Sequence, residues 1–227
     1  MIPIPPIRAL VCGHTGATGS ALISVLTALP HCESIVAVGR RENVDQVNNP
    51  KLKQHVIANM LELSTTKPDL ACGCNAAFCC IGTTFNDVFK KSKAAEYQAV
   101  DFGIATEFAK LAKLSGVDFF AIITGDKSDS KSQLRMTKVK GETEDYVVSL
   151  GFARAAILRP GLLNRGKGRR GWMEQLFTCG GIFGLPVQKL AESMAWMSLN
   201  QVEPLKRYET IDIRKAIESL QSAHFIK

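Results

Sequence analysis

An apolar run, Arg8-Ala9-Leu10-Val11-Cys12, passes directly into Gly13-His14-Thr15-Gly16-Ala17-Thr18-Gly19, and Ala21, Leu22, Val25 and Leu26 follow at helical spacing. Few patterns constrain a chain more tightly. A buried strand must stop, turn sharply on glycine and open a helix, which is the unit from which parallel sheets with crossover helices are built. Glycine at the turn lets a charged ligand come close to the backbone, and the first-turn amides of the helix meet it with the positive end of the helix dipole. The segment reads as a seat for a dinucleotide pyrophosphate.

Strand and helix signals alternate from there on. Residues 34–39 read as a second buried strand, 55–57 as a short third, 75–81 as a fourth, 117–123 as a fifth and 153–158 as a sixth. Tyr97, Val100, Ile104, Phe108 and Leu111 form one face of a long helix closed by Gly116. Val139, Thr143, Tyr146, Val147 and Leu150 mark another, closed by Gly151. The fold class expected is α/β, a doubly wound parallel sheet of the Rossmann type. It forms a single domain over residues 1–227, with a small C-terminal substrate-side lobe or lid at 162–200. In such sheets ligands lie outside the carboxyl ends of the strands. Arg40-Arg41, Asn59-Met60, Gly82-Thr83-Thr84, Thr124-Gly125 and Pro160-Gly161 all fall at such ends, beside the glycine loop.

The second strand end selects the dinucleotide. An NAD site calls for Asp or Glu there, bonded to the ribose hydroxyls. Here the strand ends in Arg40-Arg41, and guanidinium matches a 2′-phosphate in charge and fork geometry. Glu42 lies beyond the pair and points into the loop. The expected cofactor is NADPH.

A net charge of +7 raises the question of nucleic acid. The two basic clusters, Lys127 to Lys140 and Arg165 to Arg170, lack interleaved aromatics, so attraction of an anionic small molecule explains the bias and no nucleic-acid partner is expected. No apolar stretch has the length of a membrane span, no signal peptide is evident, and the odd count of 7 cysteines fits a reducing compartment. A cytoplasmic protein is expected. Cys72-Gly73-Cys74 and Cys79-Cys80 lack zinc-ligand spacing, and no metal is expected. His14 reads as filling a variable position in the glycine loop, and His31, His55 and His224 show no partner pattern.

The glycine loop, Gly39-Arg40-Arg41, Phe78-Cys79-Cys80-Ile81-Gly82-Thr83-Thr84, Val139-Lys140-Gly141-Glu142 and Leu158-Arg159-Pro160-Gly161 together resemble the atypical short-chain dehydrogenase/reductases, on the Tat-interacting-protein-30 (HTATIP2-like) branch. The resemblance runs from Leu10 to Ile217 and implies either a monomer or a homodimer. It implies NADPH binding, with cofactor contacts at Gly13, Thr15, Gly16, Ala17, Thr18, Gly19, Arg40, Arg41, Cys80, Ile81, Gly82, Thr83, Thr84 and Lys140, and with Asn59 and Met60 flanking the adenine. It also implies a catalytic tyrosine four residues before the active-site lysine, whose proton moves as hydride is transferred. That lysine is Lys140, but position 136 is Met136, which has no exchangeable proton. Thr124 stands nearest to the third catalytic partner, and Tyr146 faces away around the helix.

Two readings follow. In one, the chain is an NADPH-dependent oxidoreductase acting on a small-molecule carbonyl, with Lys140 and Thr124 carrying the chemistry and turnover weakened by the lost phenol. In the other, it is a catalytically weak or inactive NADPH-dependent module that binds a protein partner, with Trp172, Phe177, Phe183, Trp196 and Met197 as the surface.

Overall fold

The computed structural model describes residues 6–83, 94–164 and 184–222. Seven strands form one parallel sheet in the order β3-β2-β1-β4-β5-β6-β9. They are β1 (Ile7–Cys12), β2 (Cys32–Gly39), β3 (Leu52–Val56), β4 (Ala76–Cys79), β5 (Phe119–Ile123), β6 (Arg154–Arg159) and β9 (Leu205–Glu209). A short pair, β7 (Leu163–Asn164) and β8 (Leu185–Pro186), lies outside the main sheet. The helices are α1 (Ala17–Ala28), α2 (Leu63–Thr66), α3 (Ala94–Gln98), α4 (Ala105–Leu114), α5 (Arg135–Ser149), α6 (Val187–Asn200) and α7 (Thr210–Ser222). A π-helical stretch, Ala99–Ile104, joins α3 to α4.

Apolar runs make these strands because both faces of a parallel sheet are covered by helices. Alternation along β1 sends Ala9 and Val11 to one face, where Leu22, Leu26, Leu190, Met194 and Ile213 of α1, α6 and α7 pack. Leu10 and Cys12 go to the other, with Phe108, Leu111, Phe120 and Val147. Phe120 stacks on Phe152 with ring centroids 4.6 Å apart. Gly116 and Gly151 end α4 and α5 at φ +73° and +61°, a conformation that glycine adopts without steric cost.

The winding reverses between β1 and β4: β2 and β3 extend the sheet to one side, and β4, β5, β6 and β9 to the other. That reversal sets the glycine loop at the crevice where sheets of this kind take ligands. Two details depart from the sequence reading. The third strand starts at Leu52, ahead of the expected 55–57. A seventh strand, β9, pairs with β6 at the far edge, where only a lobe and tail had been expected. The basic run from Arg165 and the aromatic residues Trp172, Phe177 and Phe183 lie outside the described residues. Trp196 is partly buried and Met197 fully buried on α6, packed against the core rather than presented outward.

Candidate functional site

The glycine loop is a backbone fitted against backbone. Gly13 has φ +84°, and a Cβ there would stand 2.7 Å from the Cys80 carbonyl oxygen. A Cβ on Gly19 would collide with the carbonyl oxygen of Gly13. The Gly16 amide bonds Gly13 O at 3.0 Å, closing the turn into α1. No side chain caps α1 and its first turn carries no acid, so its amide end faces the crevice without internal compensation.

A cleft opens over this loop. It is lined by Gly13, Thr15, Gly16, Arg40, Arg41, Met60, Cys80, Ile81 and Gly82 of the expected set, and also by Cys12, Gly39, Val100 and Ile104. Ala17, Thr18 and Gly19 form the first turn of α1 behind it. Arg40 and Arg41 are exposed and have no carboxylate partner among the described residues. Asn59 is exposed, and its side chain accepts the Leu61 amide at 3.1 Å, which sets Met60 into the cleft wall. Thr84 lies outside the described residues.

The end of the site nearer β5 is organised by Asp101, which the sequence reading did not single out. The π-helical stretch carries Asp101 inward, to a buried position. Its carboxylate accepts the Thr83 amide at 3.0 Å and the Lys140 Nζ at 3.3 Å. Thr143 donates its hydroxyl to the Asp101 carbonyl at 3.0 Å, tying α5 to the same turn. One turn earlier, the Tyr97 hydroxyl reaches the Met136 carbonyl at 3.4 Å. Burial, and then the nearby Asp101 charge, push the Tyr97 phenol well above its usual range. The pairs Tyr97/Asp101 and Met136/Lys140 thus face each other across two helices, each spaced by four residues. An acid on the otherwise apolar face of Tyr97, Val100 and Ile104 was the available signal for Asp101.

Thr124 is placed differently from Lys140. It is buried, and its hydroxyl donates to Glu144 Oε1 at 2.7 Å while its amide bonds Leu158 O at 2.9 Å. Glu144 also takes three hydrogen bonds from Arg159, the shortest 2.6 Å, and Arg159 reaches Glu209 at 3.1 Å. The hydroxyl is committed to an ion-pair network joining α5, β6 and β9. Next to it, a Cβ on Gly125 would stand 3.3 Å from Lys140 Cδ, so the lysine stem rests on bare backbone.

Cys12 and Cys79 point to one face of the sheet, and Cys80 packs toward the other. Burial holds all three thiols protonated, with Cys79 raised to about 12. Among the described residues no three His, Cys, Asp or Glu side chains are grouped to hold a metal ion.

No family model matches the chain. Among curated proteins it is similar to FMP52-2, mitochondrial, of Scheffersomyces stipitis, at 28% identity over 233 residues, covering 96% of this chain and 97% of that protein. HTATIP2 of Rattus norvegicus is 28% identical over 170 residues, covering 74% of this chain and 68% of that protein. Among solved structures, MoeE5 in complex with UDP-glucose and NAD superposes with a TM-score of 0.68 at 13% identity, over 97% of this chain and 83% of that one. That likeness shows the doubly wound, Rossmann-type fold. The relatives correct one expectation: FMP52-2 and the other FMP52 proteins are named mitochondrial, which overturns the cytoplasmic assignment.

Proposed function

We propose that this chain, similar to HTATIP2 and the FMP52 proteins, is an atypical short-chain dehydrogenase/reductase of the HTATIP2-like branch that binds NADP(H) at the glycine loop and acts as a weak carbonyl reductase. One observation carries the cofactor choice. Arg40 and Arg41 stand exposed at the cleft, without a carboxylate partner among the described residues, where an NAD site would place an acid. The loop suits the group, since Gly13 and Gly19, where a Cβ would strike the Cys80 and Gly13 carbonyls, let the chain turn tightly enough to bring the first amides of α1 to the crevice. Residues 13, 15 and 16, with the amide end of α1, would hold the pyrophosphate, the two arginines the 2′-phosphate, and Met60 the adenine. Bound there, the cofactor supplies a hydride.

The proton side falls to the chain itself. Lys140 is held on Asp101, which keeps an ammonium aimed at the site without a tyrosine. Thr124 spends its hydroxyl on Glu144, so the reading assigns proton transfer to Lys140 and a structural role to Thr124. Titration with NADPH and NADH by fluorescence, on wild type and on Arg40→Ala/Arg41→Ala, tests the cofactor reading. NADPH binding is expected to be the tighter and to be lost selectively in the variant. Equal affinities for both dinucleotides would sink it.

Met136 favours a second reading, a cofactor-dependent binding module that has given up turnover. Binding of NADPH with no oxidation across a broad aldehyde and quinone panel would select it. On the FMP52 names we also read the compartment as mitochondrial, which subcellular fractionation checks.

A further inference from the structure

We propose that His14 is a specificity-determining residue for the 2′-phosphate: it takes up a proton when that phosphate settles against Arg40 and Arg41. The inference rests on the NADP(H) reading above and adds a residue to it.

His14 is 1% exposed, and neither ring nitrogen makes a hydrogen bond of good geometry among the described residues, although the Val38 and Arg41 carbonyls and the Gln54 side chain lie close to the ring. A neutral imidazole carries one donor and one acceptor, and leaving either unpaired in a buried place is costly. Such a group calls for an explanation. Its position supplies one. Any Cβ on Gly39 would stand 3.0 Å from His14 Cε1 and 3.3 Å from Nδ1, so the ring fills the space beneath the strand end that carries Arg40 and Arg41. The His14 carbonyl is held from the same turn by Asn43 Nδ2 at 3.4 Å.

The surroundings suit the charged ring better than the neutral one, apart from burial. Burial lowers its pKa below the ordinary imidazole value. Against that act the Val38 carbonyl from β2, the Gln54 side chain from β3, the Arg41 carbonyl from the turn and, by charge, Glu42. These neighbours are acceptors that an imidazolium, a donor at both nitrogens, would satisfy together. What is missing is a strong nearby anion. A 2′-phosphate carries a charge of about −1.5 to −2 at neutral pH. Placed on Arg40 and Arg41, it offsets the cost of burying the imidazolium and draws a proton onto the ring. NADH brings no such charge.

The sign follows from linkage. A group whose pKa rises on binding makes the ligand bind more tightly as pH falls through the bound-state value toward the free-state value, and a rise of one unit amounts to about tenfold in affinity. The phosphate itself loses charge on acidification and acts the other way, so the contribution of His14 is the difference between wild type and His14→Gln.

Calorimetric titration of the full chain with NADPH and with NADH, between pH 6.5 and 8.5 in buffers of different ionisation enthalpy, reads the proton directly. Wild type is expected to take up more protons with NADPH than with NADH. In His14→Gln that excess disappears and the preference for NADPH falls about tenfold, with NADH affinity unchanged. Tight NADPH binding by wild type without excess uptake overturns the role of His14 and leaves the cofactor reading standing. Binding of neither dinucleotide by the folded protein overturns both. Above pH 7.5, where a phosphate with its second pKa of about 6 is already ionised and releases no proton on binding, the wild-type uptake decides the matter even where the variant fails to fold.

Discussion

Position 136 decides how much chemistry this site can do. Met136 packs against Tyr97 and Val139, and one turn on, Lys140 is held by Asp101. The scaffold for a phenol is present and the phenol is not. Restoring it as Met136→Tyr is therefore expected to raise NADPH-dependent carbonyl turnover by about two to four orders of magnitude, the usual worth of a positioned general acid. Spectrophotometric NADPH oxidation on the aldehyde and quinone panel measures it. No gain in a variant that still binds NADPH would show that the carbonyl does not lie near residue 136. At this scale the sequence was legible wherever a residue acts through its neighbours in the chain. The glycines that Cys80 O and Gly13 O crowd, and the arginines at the end of β2, belong to local units. Asp101 and Thr124 were not legible in the same way. Their partners are Lys140, 39 positions away, and Glu144, 20 positions away, and no local pattern encodes such meetings.

Among elements, the buried Glu144 couples most. It receives Thr124 from the end of β5, Arg159 from β6 and, at 3.5 Å, Arg207 from β9, while sitting on α5 itself. Removing one partner of such a pair leaves a charge stranded and costs about 3–5 kcal/mol, whereas replacing both with apolar groups can be nearly neutral. Glu144→Leu is expected to lower the urea unfolding midpoint with little change in slope, and Glu144→Leu/Arg159→Met to recover much of the loss. Equal loss in single and double variants would show that the pair is not the coupling. The five strands β1, β2, β4, β5 and β6 were readable because parallel strands covered on both faces are continuous apolar runs. β9 was not. It borders the sheet, pairs on one side only, and of Leu205-Lys206-Arg207-Tyr208-Glu209 only Tyr208 is buried. The π-helical stretch was equally hidden, since Tyr97, Val100, Ile104 and Phe108 satisfy an ordinary helical period.

For the whole molecule, binding and stability are one equilibrium. If the crevice takes NADPH in the native state alone, a hundredfold excess over Kd adds about 2.7 kcal/mol to unfolding. Differential scanning calorimetry should show a rise in Tm with NADPH that is absent in Arg40→Ala/Arg41→Ala. An equal rise in both would place the ligand elsewhere. The fold class was readable from the order of strands and helices, whereas the strand order, and with it the place where the winding reverses, is set by tertiary pairing. The compartment was not, because an address is read by receptors and is independent of how the chain packs. One contact reaches across nearly the whole sequence: α1, which presents the glycine loop, lies against α6, with Leu22 and Leu26 in one core with Leu190 and Met194. During synthesis α1 emerges early and waits for a support made only in the last quarter of the chain. A ribosome-bound fragment ending before residue 187 would carry the residues that line the cleft and lack the helix packed behind α1, so its capture of NADPH is expected to be weaker than that of the full sequence.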